Sequence, residues 1–389
     1  MTTLLRFAVS VVCATGLAHR LGAAPVPPSA TGTAALPDEL AALLAPLPKW
    51  SFSTTADVSF GYKDNLLLST VDEERSAFAR GSLSLMVLRA PTGASDVSFF
   101  VQADGTRYFS GRTVNHDAGV WTHADFSYRV GDAIKFSVPI TGYYSDRVSD
   151  VSSTFAERLV ARLKVTGGKI GPMVRVNVTP HGWIEAQANG ERKRYDEDTF
   201  DSRLGEGALR LGWKPSDRVE AQIAATQRWV RFDRHAQYTA AGRALAGTLR
   251  KDREKEGQAR LRVTWDAAAR WRSDTRMSLL DYRDNGSGYF NFRRKKIAQE
   301  VQWRTDDWLV RLEGIARRID YGIQTVGFGI EPPPRIRDEF SAELHVERTL
   351  TKRWTLLAGY TWERSRSNDL FASYRMHEGL LGLRWSWEK

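Results

Sequence analysis

From Trp50 to the end of the chain the apolar side chains recur at every second position. Successive residues of a strand point to opposite faces, so this period of two is the mark of half-buried strand and excludes helix over the same stretch. Phe52, Thr54, Ala56, Val58, Phe60 and Tyr62 share one face of the first segment. Later segments run over 83–87, 97–103, 120–130, 134–144, 159–165, 174–188, 209–213 and 219–229. They continue over 259–265, 275–279, 297–303, 308–316, 340–346, 354–362 and 377–387. The pattern reads as about sixteen strands.

The connections alternate in length. Short ones with turn chemistry fall at 90–93, 130–132, 166–168, 214–217, 266–269, 305–307 and 348–351. Longer polar links fall between them, at 63–76, 109–117, 145–155, 191–203, 231–256, 284–294, 321–336 and 365–373. A soluble sandwich or propeller has no reason to keep short turns at one end and long loops at the other. An up-and-down barrel does, and an even strand count places both of its ends on the short-turn side. Pro180, inside the seventh segment, is expected to break or bulge its ladder.

The last segment alternates strictly. His377, Gly379, Leu381, Leu383, Trp385 and Trp387 form an apolar face that ends in aromatics, opposite Glu378, Leu380, Gly382, Arg384 and Ser386. Gly382, Trp385 and Trp387 resemble the C-terminal assembly signal of Gram-negative outer-membrane β-barrel proteins, except that Glu388-Lys389 follow the final aromatic. The resemblance covers Trp50 to Lys389. It implies an all-β transmembrane antiparallel barrel in the bacterial outer membrane, porin-like, inserted by the barrel-assembly machinery. A second likeness, Gly61-Tyr62-Lys63-Asp64-Asn65-Leu66, is to porins encoded beside exopolysaccharide-export systems.

Residues 1–24 are expected to be a secretory signal peptide: Arg6 supplies its charge, 7–17 its apolar core, and Gly22-Ala23-Ala24 small residues for cleavage. Residues 25–49 read as a periplasmic Pro/Ala linker with a short helix, in which Leu40, Leu43, Leu44 and Leu47 have helical spacing after Asp38-Glu39, with Pro37 at the start and Pro46 and Pro48 at the end. The barrel then occupies 50–389. The single cysteine, Cys13, falls in the signal, which removes disulfides, thiolate zinc sites and cysteine nucleophiles from the remainder.

Side chains opposite the apolar face must line the interior, and about sixteen strands leave a lumen too wide for side chains to fill. Arg158, Arg162, Lys164, Arg175, Arg210, Arg228, Arg260, Arg262, Arg276, Arg304 and Arg311 are expected there, with Glu313, Glu339, Glu343 and Glu347 as an acidic patch. Such residues either form an anion-favouring wall or pair across strands. The long link 231–256 carries many bases and either constricts the pore or stands outside. Basic runs at 191–194 and 293–296 suit lipopolysaccharide phosphates.

With 56 Lys+Arg against 46 Asp+Glu the chain is basic, but an exported surface protein is not expected to bind nucleic acid. The histidines after the signal have no metal spacing such as HxxxH. Ser110, Asp117 and His123 could be assembled into a hydrolase set only by geometry, so no enzyme, cofactor or metal is expected. His345, between Glu343 and Glu347, is a candidate pH-sensitive group. The expected function is passive passage of small hydrophilic solutes, anionic or saccharide. The alternatives are an accessory barrel that meets polysaccharide-export components through 36–48, and a structural barrel with a blocked lumen.

Overall fold

The computed structural model describes residues 50–89, 93–150, 160–327 and 329–388. The signal and linker readings, the docking segment 36–48 and Arg158 therefore lie outside the described residues. The strands are β1 (Trp50–Lys63), β2 (Ser76–Arg89), β3 (Ser95–Tyr108), β4 (His116–Val130), β5 (Ile134–Asp150), β6 (Val160–Ile170), β7 (Met173–Asn177), β8 (Gly182–Tyr195), β9 (Ser202–Ser216) and β10 (Val219–Phe232). There follow β11 (Gln237–Tyr238), β12 (Ala244–Leu245), β13 (Lys251–Thr264), β14 (Trp271–Asp284), β15 (Phe292–Arg304), β16 (Trp308–Thr325), β17 (Pro334–Thr349), β18 (Trp354–Ser367) and β19 (Tyr374–Glu388).

Each barrel strand pairs antiparallel with its sequence neighbours, and β1 also pairs with β19 from Ser53↔Glu388 to Lys63↔Glu378. The sheet closes on itself and leaves no edge. β11 and β12 form a separate hairpin in the loop between β10 and β13. β6 and β7 share one stave, so the wall has sixteen. Their interruption at Gly171-Pro172 has a backbone cause. Pro172 lacks an N–H, and so does Pro139 on the facing part of β5. The register is kept through the gap: Ile170 faces Ile140 and Met173 faces Ser137.

The turn expected at 166–168 is instead the middle of β6. Gly167 is small because the Tyr143 ring lies across it, and the Tyr143 hydroxyl donates to Glu191 on β8 at 2.5 Å. A β-carbon at Gly167 would run into that ring. The real turn follows β7, where Val178 N–H donates to Gly182 at 2.9 Å. Pro180 therefore marks a turn and not a broken strand. The links expected at 191–203 and 231–256 are shorter, because β8 runs to Tyr195, β9 begins at Ser202 and β13 begins at Lys251.

Candidate functional site

Register assigns every side chain to the outer or inner face. On β1 the outward set is Phe52, Thr54, Ala56, Val58, Phe60 and Tyr62, with Phe60 62 % exposed. Leu83, Phe99, Phe126, Ile140, Leu211, Ile223, Leu261, Met277, Ile297, Leu312, Leu344 and Leu381 continue that exposed apolar band around the barrel. Near its short-turn edge stand Trp50, Trp213, Trp265, Trp271, Trp308, Trp354 and Trp387, all exposed. An apolar belt of this kind, closed so that no backbone edge meets hydrocarbon, can only face lipid. The chain is a membrane-spanning β-barrel.

No family model and no curated protein matches the chain. Among solved structures it is similar to Acinetobacter baumannii OccAB4, with 7% identity and a TM-score of 0.48 over 88% of this chain and 99% of that one. Pseudomonas aeruginosa OpdQ gives 7% and 0.47 over 88% and 100%. The anion-selective porin from Comamonas acidovorans gives 8% and 0.47 over 87% and 99%. The strand pairing itself defines the closed, sixteen-stave antiparallel barrel.

The inner wall carries a mat of ion pairs, densest from β8 round to β1, many of them reaching past a neighbouring strand. Arg276 on β14 meets Glu313 on β16 at 2.8 Å, passing over Ala298, which is only 1 % exposed. Arg294 on β15 approaches Glu256 on β13 at 3.6 Å above the buried Leu280. Arg80 on β2 reaches Glu378 on β19 at 2.8 Å. The Arg147 guanidinium on β5 binds Asp104 on β3. Inward carboxylates and inward cations are close to balance around the whole wall, so the net positive charge of the chain lies elsewhere. From β1 to β5 the wall differs: Ser53, Thr55, Ser82, Ser84, Phe100 and Trp121 face inward. Thr55 and Ser84 share a 2.5 Å hydrogen bond, Phe100 meets Trp121 edge-on at 5.5 Å, and Trp121 stacks on His123 at 5.4 Å.

At the long-loop end the meaning of the alternation inverts. The inward residues there are largely apolar, with a few buried charges among them, and the outward ones are mostly polar or charged. Phe78, Tyr108, Leu163, Phe232, Leu280, Tyr282, Phe292, Ile319 and Tyr321 turn inward and are buried with loop residues. The loop after β10 leans over this inner face: His235 packs on Phe200, Phe232, Tyr238 and Phe290. Arg250 is fully buried 3.5 Å over the Phe290 ring and donates to Asp252 at 3.0 Å and to the Tyr282 hydroxyl at 2.9 Å. Asn65, in the motif that follows β1, closes the first loop. Its amide donates to Ser69 O at 2.7 Å and Arg375 O at 2.9 Å, and its carbonyl accepts from Ser69 N at 3.1 Å. In the same motif Gly61 leaves room for the Phe78 ring, and Leu66 is 2 % exposed beside Phe78, Tyr108 and Val114.

Of the residues expected inside, Arg175, Arg210, Arg228, Arg260, Arg262, Arg276, Arg304, Arg311, Glu313, Glu339, Glu343 and Glu347 stand on the inward face by register. Most carry partners: Arg175 and Arg210 share Glu185, Arg260 and Arg262 share Asp274, Arg311 nears Glu300 at 3.8 Å, and Glu339 takes Arg317 at 2.9 Å and Arg337 at 3.0 Å. His345 contacts Glu347 at 2.7 Å.

Arg162 and Lys164 face outward, a correction to the expectation. Arg162 there donates to Asp146 at 2.7 Å, whereas Leu163 between them turns into the inner cluster. In this upper region apolar means inward, so extending the belt's rule to it exchanges the two faces.

Gly382 lies against Ser59 and Val58 at the closing seam, with Trp385 and Trp387 on the outer face. Ser110, Asp117 and His123 bond elsewhere: Asp117 accepts from Tyr108 at 2.8 Å, and His123 pairs with Thr141 at 3.2 Å. Among the described residues no cluster of three His, Asp or Glu is arranged to hold a metal ion. Inward residues of the ion-paired wall that the sequence reading missed are Arg80, Arg147 and Glu378. Their only signal was their parity opposite the apolar face.

Proposed function

We propose that the barrel is a channel for passive diffusion of small hydrophilic solutes, with uncharged, hydroxyl-rich solutes such as saccharides passing more readily than ions are selected. The observation that carries this reading is the inner wall. Between its apolar mouth and the short turns it is largely polar, yet most of its fixed charges are paired and the two signs nearly balance, so no unopposed ring of arginines is left to concentrate anions. A paired lattice of guanidinium and carboxylate groups offers many fixed hydrogen-bond donors and acceptors with little net field. The facing sector of hydroxyls, Phe100 and Trp121 supplies rings for the apolar faces of a sugar and hydroxyls for its edges.

The test is conductance of the refolded barrel in a planar bilayer under a salt gradient, together with swelling of vesicles loaded with mono- and disaccharides. Stable open steps, a zero-current potential near zero and rapid swelling are expected. A demonstrably folded barrel that neither conducts nor swells vesicles would overturn the reading.

A further inference from the structure

The excess positive charge sits on the outside of the barrel, in a collar directly above the lipid belt. The sequence Lys251-Asp252-Arg253-Glu254-Lys255-Glu256 shows how it is placed there. Register sends each base of this run outward and each acid inward. Asp252 meets Arg250, Glu254 meets Arg228 at 3.1 Å, and Glu256 meets Arg294 at 3.6 Å, all on the lumen side. Lys251, Arg253 and Lys255 are exposed, and among the described residues none pairs with a carboxylate. Two residues further down the same outer face the belt begins, with Gly257, Ala259 and Leu261. A strand rises about 3.3 Å per residue, so these charges lie within one headgroup depth of the hydrocarbon.

Neighbouring strands repeat the arrangement at the same height. Arg231 on β10 faces Lys251, and Arg283 on β14 faces Arg253. The collar's own carboxylates are fewer. Asp281 is shared between Arg283 at 2.9 Å and Arg293 at 3.5 Å, and Asp233 between Arg192 and Arg203.

We propose that the β10–β14 sector of this collar binds the phosphates of a glycolipid of the outer leaflet, the lipid portion of lipopolysaccharide, whose acyl chains lie along the belt below. Positive charge on a lumen wall would act on solutes, but this charge cannot, because it points away from the lumen. Held at the headgroup level of an outer-membrane barrel, it opposes an anionic lipid surface. Clustered Lys and Arg do there what divalent cations otherwise do, bridging adjacent phosphates. Binding at this site therefore persists when those cations are removed.

The experiment uses the full refolded barrel in detergent with EDTA present, titrated with a deep-rough lipopolysaccharide and, separately, with phosphatidylglycerol. The wild type should bind the lipopolysaccharide more tightly than phosphatidylglycerol, and binding should weaken steeply with salt. The triple variant K251Q/R253Q/K255Q should lose roughly a hundredfold in affinity at about 1 kcal/mol per charge, with its conductance unchanged. K251R/K255R should bind as the wild type does.

If the folded triple variant bound lipopolysaccharide like the wild type, or the wild type bound both lipids equally, the proposal would be overturned. Loss of a barrel–barrel dimer in the triple variant, with lipid binding intact, would overturn it in favour of a second copy of the chain. Should the triple variant fail to fold, the salt dependence and lipid preference of the wild type decide the matter by themselves.

Discussion

Glu347 on β17 and Arg384 on β19 join at 2.8 Å past the strand between them, and the same guanidinium donates to Asp57 on β1 at 2.8 Å. One side chain thus links three strands across the seam where the barrel closes. Replacing Arg384 by Ala leaves two inward carboxylates without their shared cation. Unfolding of the barrel in urea, followed by loss of its compact gel mobility, should show about 1–3 kcal/mol of destabilisation. Glu347→Gln should cost less. The double variant should fall short of the sum, since the two residues act on one contact.

Asn65 uses both ends of its side chain within the first loop. Asn65→Ala removes these bonds and leaves the carbonyl of Arg375 without that donor, a loss of about 1–3 kcal/mol. The effect should be local. Hydrogen exchange should quicken over 64–75 and at the start of β19, while the rest of the wall keeps its protection.

Arg250 is held between aromatic rings above Asp252. Arg250→Ala leaves that carboxylate buried without its cation, and breaking a buried pair in this way costs about 3–5 kcal/mol. The loop after β10 should detach from the inner face. Single-channel records should then show larger or noisier open steps than the wild type.

Arg304 faces inward without an ion-pair partner among the described residues, whereas Asp274 takes Arg260 and also Arg262 at 3.2 Å. Neutralising either sign should disturb the balance of the lumen. Arg304→Gln should move the zero-current potential toward cation preference, and Asp274→Asn toward anion preference. Equal shifts in one direction from both variants would contradict the matched-charge account of the wall.

Asp266 lies in the turn between β13 and β14, where the Trp271 N–H donates at 2.8 Å and Arg270 at 3.2 Å. The backbone N–H first, and then Arg270, hold its carboxyl below the usual aspartate range. A carboxyl with a depressed folded pKa stabilises the turn above its unfolded pKa and ceases to do so as the pH falls through the folded value. Asp266→Asn should therefore show at neutral pH the faster exchange of the Trp271 amide that the wild type shows only in acid, with conductance unaltered.

The architecture was legible because one physical rule, lipid outside and water inside, governs most of each strand. Val58, Leu261 and Leu381 obey it and reveal the belt without any knowledge of partners. The upper ends of the strands were not legible by that rule. Above the bilayer the outside is water, and the loops supply an apolar filling for the mouth. Leu163 and Arg162 therefore reverse the roles expected of them.

Gly167 was misread for a related reason. A glycine pair signals a turn locally, but here it answers to the distant ring of Tyr143. Inward positions could be listed from parity, as for Arg276 and Glu313. Their partners could not, since those pairs pass over Ala298 to a strand two removed in the wall.

The tryptophans at the short-turn edge have a mechanical consequence. Indoles settle at the boundary between headgroups and hydrocarbon, so Trp213, Trp265, Trp271, Trp308 and Trp354, distributed along that edge, give the barrel a preferred vertical position and resist its tilting. A bilayer thinner than the belt cannot be matched by sliding the protein downward without drawing these rings out of their layer. The lipid must deform toward the protein instead.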